Sequence, residues 1–227
     1  IYEPPLQYHY LKRPYTLIPL TSEAVPVPRY FDAAGRELPA DAPAAAIATS
    51  VYEIRIRPGI RYQPHPAFAL DAGGEPLYRA SDREQLRGIE KLGDFAQTDS
   101  RELVADDYIY QIKRLAHPRL HSPIFSMMAE RIVGLRELGE ALQEEGKKLP
   151  AGAWIDLDRF PLAGVSRVDR HTYRISLHGK YPQFVYWLAM PFFAPVPREV
   201  DRFYHQPGMA EKNLALDWYP VGTGPFM

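Results

Sequence analysis

The 227-residue chain has no cysteine, which removes disulfide scaffolds, thiolate metal sites and cysteine nucleophiles together. It also lacks any uninterrupted apolar run of about 18 residues, the length a membrane-spanning helix requires. Excess charge is missing too: 27 basic residues against 28 acidic ones leave −1, so no overall positive field draws nucleic acid or an anionic bilayer. Serine-hydrolase chemistry has no Gly-x-Ser-x-Gly elbow, because Gly164-Val165-Ser166 wants the second glycine. Gly222-Thr223-Gly224 is not followed by the lysine and hydroxyl residue of a phosphate loop, and reads as a turn. No internal repeat is present. Lack of cysteine suits an oxidising compartment and the cytosol equally. The chain begins at Ile1 without a start methionine, from which an upstream segment is expected.

What is there describes a globular protein. Hydrophobic residues make up 46% of the chain, enough to fill a core. The 23 prolines are scattered, which predicts many stiffened connections between short elements. Residues 25–50 carry no sustained period and are read as extended, with short strand pieces. Residues 51–57 alternate, with Tyr52, Ile54 and Ile56 on one side, so a half-buried strand is predicted there, stopped by Pro58-Gly59.

Between 63 and 101 lies a long polar stretch in which Ser81 and Glu84 have capping-box spacing, predicting a short surface helix over 83–92. The best helix spans 103–115, capped by Ala105 or Asp106, with acids first, Lys113-Arg114 last, and an apolar stripe of Tyr108, Ile109, Ile112 and Leu115. Further helices are predicted at 123–131, at 135–148 (closed by Gly146 and Pro150), at 181–189, and at 197–204 with Pro197 first. A strand is predicted over 172–177. The fold class is α/β, a small mixed sheet with flanking helices in one lobe.

Reactive constellations are weak. His117 and His121 are four apart, but Pro118 breaks the helix that would align them, leaving surface histidines. Asp156-Leu157-Asp158 lacks the glycine and distal glutamate of a calcium loop. Glu130-Arg131 and Asp169-Arg170 read as surface ion pairs. No catalytic centre, metal or cofactor is expected.

Six segments, in order, carry a resemblance. They are Tyr2-Glu3-Pro4-Pro5-Leu6, the segments at 52–62, 103–119 and 169–177, Ala194-Pro195-Val196-Pro197-Arg198-Glu199, and Val221-Gly222-Thr223-Gly224-Pro225-Phe226. Together they resemble the family five extracellular solute-binding proteins, which hand peptides and related solutes to ATP-binding-cassette (ABC) importers. The resemblance implies one lobe of a two-lobed, type II-like periplasmic binding fold. Residues 1–205 would form the smaller lobe, with the stretch at about 63–101 as an insertion, and 206–227 a return segment into the main lobe. It further implies a periplasmic, non-enzymatic protein whose partners are a peptide or similar solute and an inner-membrane permease, with no nucleic acid and no direct membrane insertion.

Family members are longer, so the chain is read as an N-terminal piece that binds solute weakly or not at all by itself. Solute contacts would fall just after Ser122-Pro123 and just before Pro191, hence on Ile124, Phe125, Met190 and Phe192, with Phe193 beside them. Ile124 and Met190 depart from the polar or aromatic choice of peptide binders and favour a less polar contact. The same side chains suit plain lobe core equally. Two other readings remain: a periplasmic metal-dependent hydrolase using His65, His117 or His121, and a partner- or glycan-docking module built on exposed tyrosines and prolines.

Overall fold

The computed structural model describes residues 2–78, 86–150 and 152–225. The chain opens with a hairpin of β1 (Leu6–Tyr8) and β2 (Leu17–Pro19), then β3 (Arg29–Phe31) and β4 (Glu37–Leu38), before the long β5 (Thr49–Arg55). Helices α1 (Ala105–Arg114), α2 (Phe125–Ala129) and α3 (Leu135–Lys148) follow. The chain then returns through β6 (Val165–Arg167) and β7 (Thr172–His178) and finishes with α4 (Phe184–Trp187) and α5 (Arg198–Tyr204).

Five strands form one sheet in the order β4-β3-β5-β7-β6. The expected small sheet with flanking helices is therefore present, with every pairing antiparallel where a mixed sheet was expected. Its centre is β5 against β7, paired from Thr49↔His178 to Arg55↔Thr172. Alternation decides the faces: Tyr52 and Ile54 sit opposite Ile175 and Tyr173 and are buried, while Glu53 pairs with Arg174 at 2.8 Å on the solvent face. Helix α1 covers the buried face, with Tyr108 stacked on Tyr173 at 5.2 Å between ring centroids. Most of the core is one continuous cluster.

Local chemistry shifts several boundaries. Helix α1 is capped by Val104 rather than Ala105 or Asp106, because the Asp107 carboxylate reaches back to accept the Val104 amide at 3.0 Å. Its inner face takes Tyr110 in place of Ile109, which is only half-buried. Helix α2 is shorter than the predicted 123–131, since residues 131–133 leave it to pair with β7, Val133 donating to the Ser176 carbonyl at 3.0 Å. Helix α3 matches its prediction and runs on through Gly146 to Lys148. It starts from Gly134, whose φ of 79° is costly for any residue with a Cβ. Helix α4 has four residues instead of nine, because the chain turns away and the Leu188 carbonyl accepts the Leu6 amide of β1 at 3.0 Å. Pro197 is the cap of α5, one position before the place predicted for it.

The stretch at 63–101 is less polar in space than in sequence. Phe68, Leu86 and Phe95 are buried, and Phe95 meets Phe203 of α5 at 5.2 Å. The Ser81–Glu84 capping box lies outside the described residues; the described part of the predicted helix is a turn at 86–88, followed by a 3-10 turn at Leu92–Asp94. Among the described residues no helix is long and apolar enough to cross a membrane.

Candidate functional site

A cleft of about 390 Å³ opens where α1 ends. Its walls include His117, His121, Ser122, Phe125, Arg136 and Glu140. Pro118 stops the helix, and His121 sits in the left-handed region at φ 47°, so the chain doubles back toward α2. His117 is buried rather than at the surface, and its Nδ1 accepts the Arg119 amide at 3.2 Å. Burial pushes its pKa down to about 4, so the ring is neutral at physiological pH. Ser122 Oγ is buried and has no hydrogen-bond partner among the described residues.

Phe125 forms the apolar wall. Its half-buried ring lies against Gly139 of α3, where an added Cβ would come within 2.4 Å of the ring. Gly139→Ala should therefore displace the ring and destabilise the protein by about 1–3 kcal/mol, although alanine is the better helix former. Thermal or urea unfolding checks the sign: a stabilised variant would show that the ring moves freely.

The other expected contact residues disperse. Ile124 is 7% exposed and belongs to the core, so it is not a wall of this cleft. Met190 is 37% exposed, just ahead of the 3-10 turn Pro191–Phe193. Phe192 is half-buried, and its carbonyl accepts Gln111 Nε2 at 2.9 Å. Phe193 is buried edge-on to Phe184 at 5.5 Å. Neither Met190 nor Phe192 lines the cleft that holds Phe125.

Sequence reading missed a second, larger cleft of about 480 Å³ between the N-terminal ends of α1 and α5 and the stretch at 63–101. Arg101 organises it. The guanidinium donates to Asp107 at 2.6 and 2.9 Å and to Glu199 at 2.7 and 2.8 Å, while stacking 5.2 Å from the Tyr62 centroid. Both carboxylates hold Arg101 protonated, raising its pKa against the opposing effect of burial. At the rim, the Gly59 amide, Arg170 and His171 converge on Glu102 and lower its pKa to about 2. Arg170 thus pairs with Glu102 and not with its neighbour Asp169. Arg198 holds both Asp156 and Asp158. Only the general presence of charge was legible here, since Arg101 and Glu199 are 98 positions apart. Among the described residues no group of three or more His, Asp or Glu side chains is placed to hold a metal ion.

No protein-family model matches the sequence, and no curated protein matches it. Solved structures do match. The Helicobacter pylori ABC transporter-associated periplasmic binding protein DppA, in complex with peptide STSA, aligns over 100% of this chain at 16% identity and a TM-score of 0.52. Listeria monocytogenes OppA bound to peptide aligns over 99% at 13% identity and a TM-score of 0.53. Clavulanic acid biosynthesis oligopeptide binding protein 2 aligns over 100% at 15% identity and a TM-score of 0.50. The chain spans 30%, 29% and 28% of those proteins respectively. It has the fold of a segment of these binding proteins.

Proposed function

We propose that the chain is a solute-binding lobe in the periplasmic substrate-binding component of an ABC importer, capturing peptides or related solutes and delivering them to an inner-membrane permease. The observation that carries this reading is the likeness in fold along the whole chain to two proteins solved with peptide bound. Residues 1–205 act as the smaller lobe, including the insertion at about 63–101, and 206–227 lead back toward the main lobe. Phe125, Met190 and Phe192 are the side chains assigned to solute, and Ile124 supports them from the core.

The chemistry of such a site is selective burial rather than bond making. A phenyl ring and an exposed thioether provide polarizable, undemanding contacts that accept varied apolar side chains. Closure of two lobes over the solute supplies the remaining desolvation. One lobe alone offers an open wall, so peptide mixtures titrated calorimetrically into the 227-residue chain should bind no tighter than about 100 μM. A micromolar isotherm would mean the site is complete within these residues, against the two-lobe reading. Stoichiometric zinc in the purified protein would instead favour a metal-dependent hydrolase.

A further inference from the structure

The hairpin β1–β2 carries a tip whose composition neither the core nor the proposed solute site uses. The His9 amide closes it onto the Thr16 carbonyl at 2.8 Å, leaving residues 10–15 projecting. Tyr10, Leu11 and Tyr15 on this tip are 80%, 70% and 70% exposed. Lys12 and Arg13 lie between them, and neither is ion-paired with a described residue. Arg13 is braced within the tip, donating to the Tyr10 and Lys12 carbonyls at 3.3 and 3.0 Å with its guanidinium 4.6 Å from the Tyr15 centroid. Between Glu3 and Glu23 the sequence has no acidic residue. A near-neutral protein therefore concentrates positive charge and exposed aromatics at one protrusion.

The apolar surface continues inward. Tyr8 meets Tyr15 edge-on at 6.1 Å and stacks on Tyr186 at 6.4 Å, with both Tyr8 and Tyr186 themselves exposed. We infer that this tip docks the protein peripherally onto a bilayer surface rich in anionic phospholipid. Tyrosine suits the headgroup layer, where its ring is apolar and its hydroxyl wet, and Leu11 reaches the acyl boundary. Lys12 and Arg13 meet the lipid phosphates and together contribute about 2 kcal/mol near such a surface, adding to the aromatic and leucine contacts. Shape separates lipid from protein as the occupant. A stable protein interface needs about 800 Å² from each partner, which a six-residue convex tip does not offer alone, whereas a fluid headgroup layer needs no matching concavity.

Co-sedimentation tests this with vesicles of phosphatidylcholine alone and with about 30 mole per cent phosphatidylglycerol. The protein should partition onto the anionic vesicles, less so as salt is raised. Lys12→Gln with Arg13→Gln should weaken partitioning about 30-fold, each charge being worth roughly 1 kcal/mol near such a surface. Tyr10→Ser with Leu11→Ser should weaken it about tenfold by removing the inserted groups. Both double variants should melt like the parent, because the tip is exposed; a vesicle loss accompanied by a lowered Tm would reflect misfolding and is checked by single variants. Failure to bind either vesicle, equal binding to both, or indifference to both double variants overturns the inference. So does a parent that ignores vesicles while the same variants weaken its binding to a permease, which would make the tip a protein interface.

Discussion

Acidification from pH 6.5 to 4.5 should cost the folded state about 2 kcal/mol through His65 alone. His65 is 1% exposed and enclosed by Phe68, Phe203 and Tyr204. Its Nδ1 accepts the Ala67 amide at 3.0 Å, so that nitrogen has no room for a proton; the hydrogen sits on Nε2, donated to the Tyr204 hydroxyl at 2.8 Å. Tyr204 passes the chain on to the Tyr219 carbonyl at 2.9 Å. Burial lowers the pKa of His65 to about 3, against about 6.5 in the unfolded chain. Below pH 6.5 the unfolded chain takes up a proton that the fold refuses, so stability is full above that pH and falls as pH drops toward 3. The slope is about 1.4 kcal/mol per pH unit. His117, held neutral by the Arg119 amide and by burial, acts in the same direction down to about pH 4. Urea unfolding at pH 6.5, 5.5 and 4.5 reads the slope, and His65→Asn, which keeps an acceptor near the Nδ1 position, should reduce it by one proton. An unchanged slope in that variant would show that His65 titrates normally.

Arg101→Met should destabilise the protein by about 2–4 kcal/mol, because it strands the buried Asp107 carboxylate, while Arg101 and Glu199 are themselves partly exposed. Besides its apolar contacts with α5, the stretch at 63–101 is tied to α1 and α5 by this guanidinium, which bonds Asp107, Glu199 and the Glu102 carbonyl. Asp107 is 3% exposed, so without Arg101 its charge is left with little beyond the Val104 amide. Adding Asp107→Asn should recover part of the loss, because the stranded charge, not the missing attraction, is the larger penalty. Arg101→Lys should rescue poorly, since an ammonium cannot make two parallel carboxylate pairs at once. A single-variant cost below about 1 kcal/mol would place the cluster in the energetic class of surface pairs.

Regular periods were legible and their partners were not. The leucines at 135, 138 and 142 mark α3 from Leu135 to Lys148, and alternation at 173, 175 and 177 marks β7, because each pattern is the local image of one buried face. Nothing local pairs β5 with β7, which lie more than 100 residues apart, and only tertiary pairing cuts α2 and α4 short. The same limit applies to the stretch at 63–101, where a polar average hides Phe68 and Phe95 in the core. At the candidate site, Phe125 and Met190 came from the resemblance, and the structure leaves one on a cleft wall and the other exposed. The burial of neighbouring Ile124 was not, since one residue's step around a short helix separates wall from core.

Short peptides titrated into isotopically labelled protein, followed by amide and methyl resonances, test the central claim directly. A solute-binding lobe should show saturable, weak shifts around Phe125, Met190 and Phe192, reduced by Phe125→Ala. Saturable shifts confined to the cleft organised by Arg101, with none around Phe125, Met190 and Phe192, would contradict it.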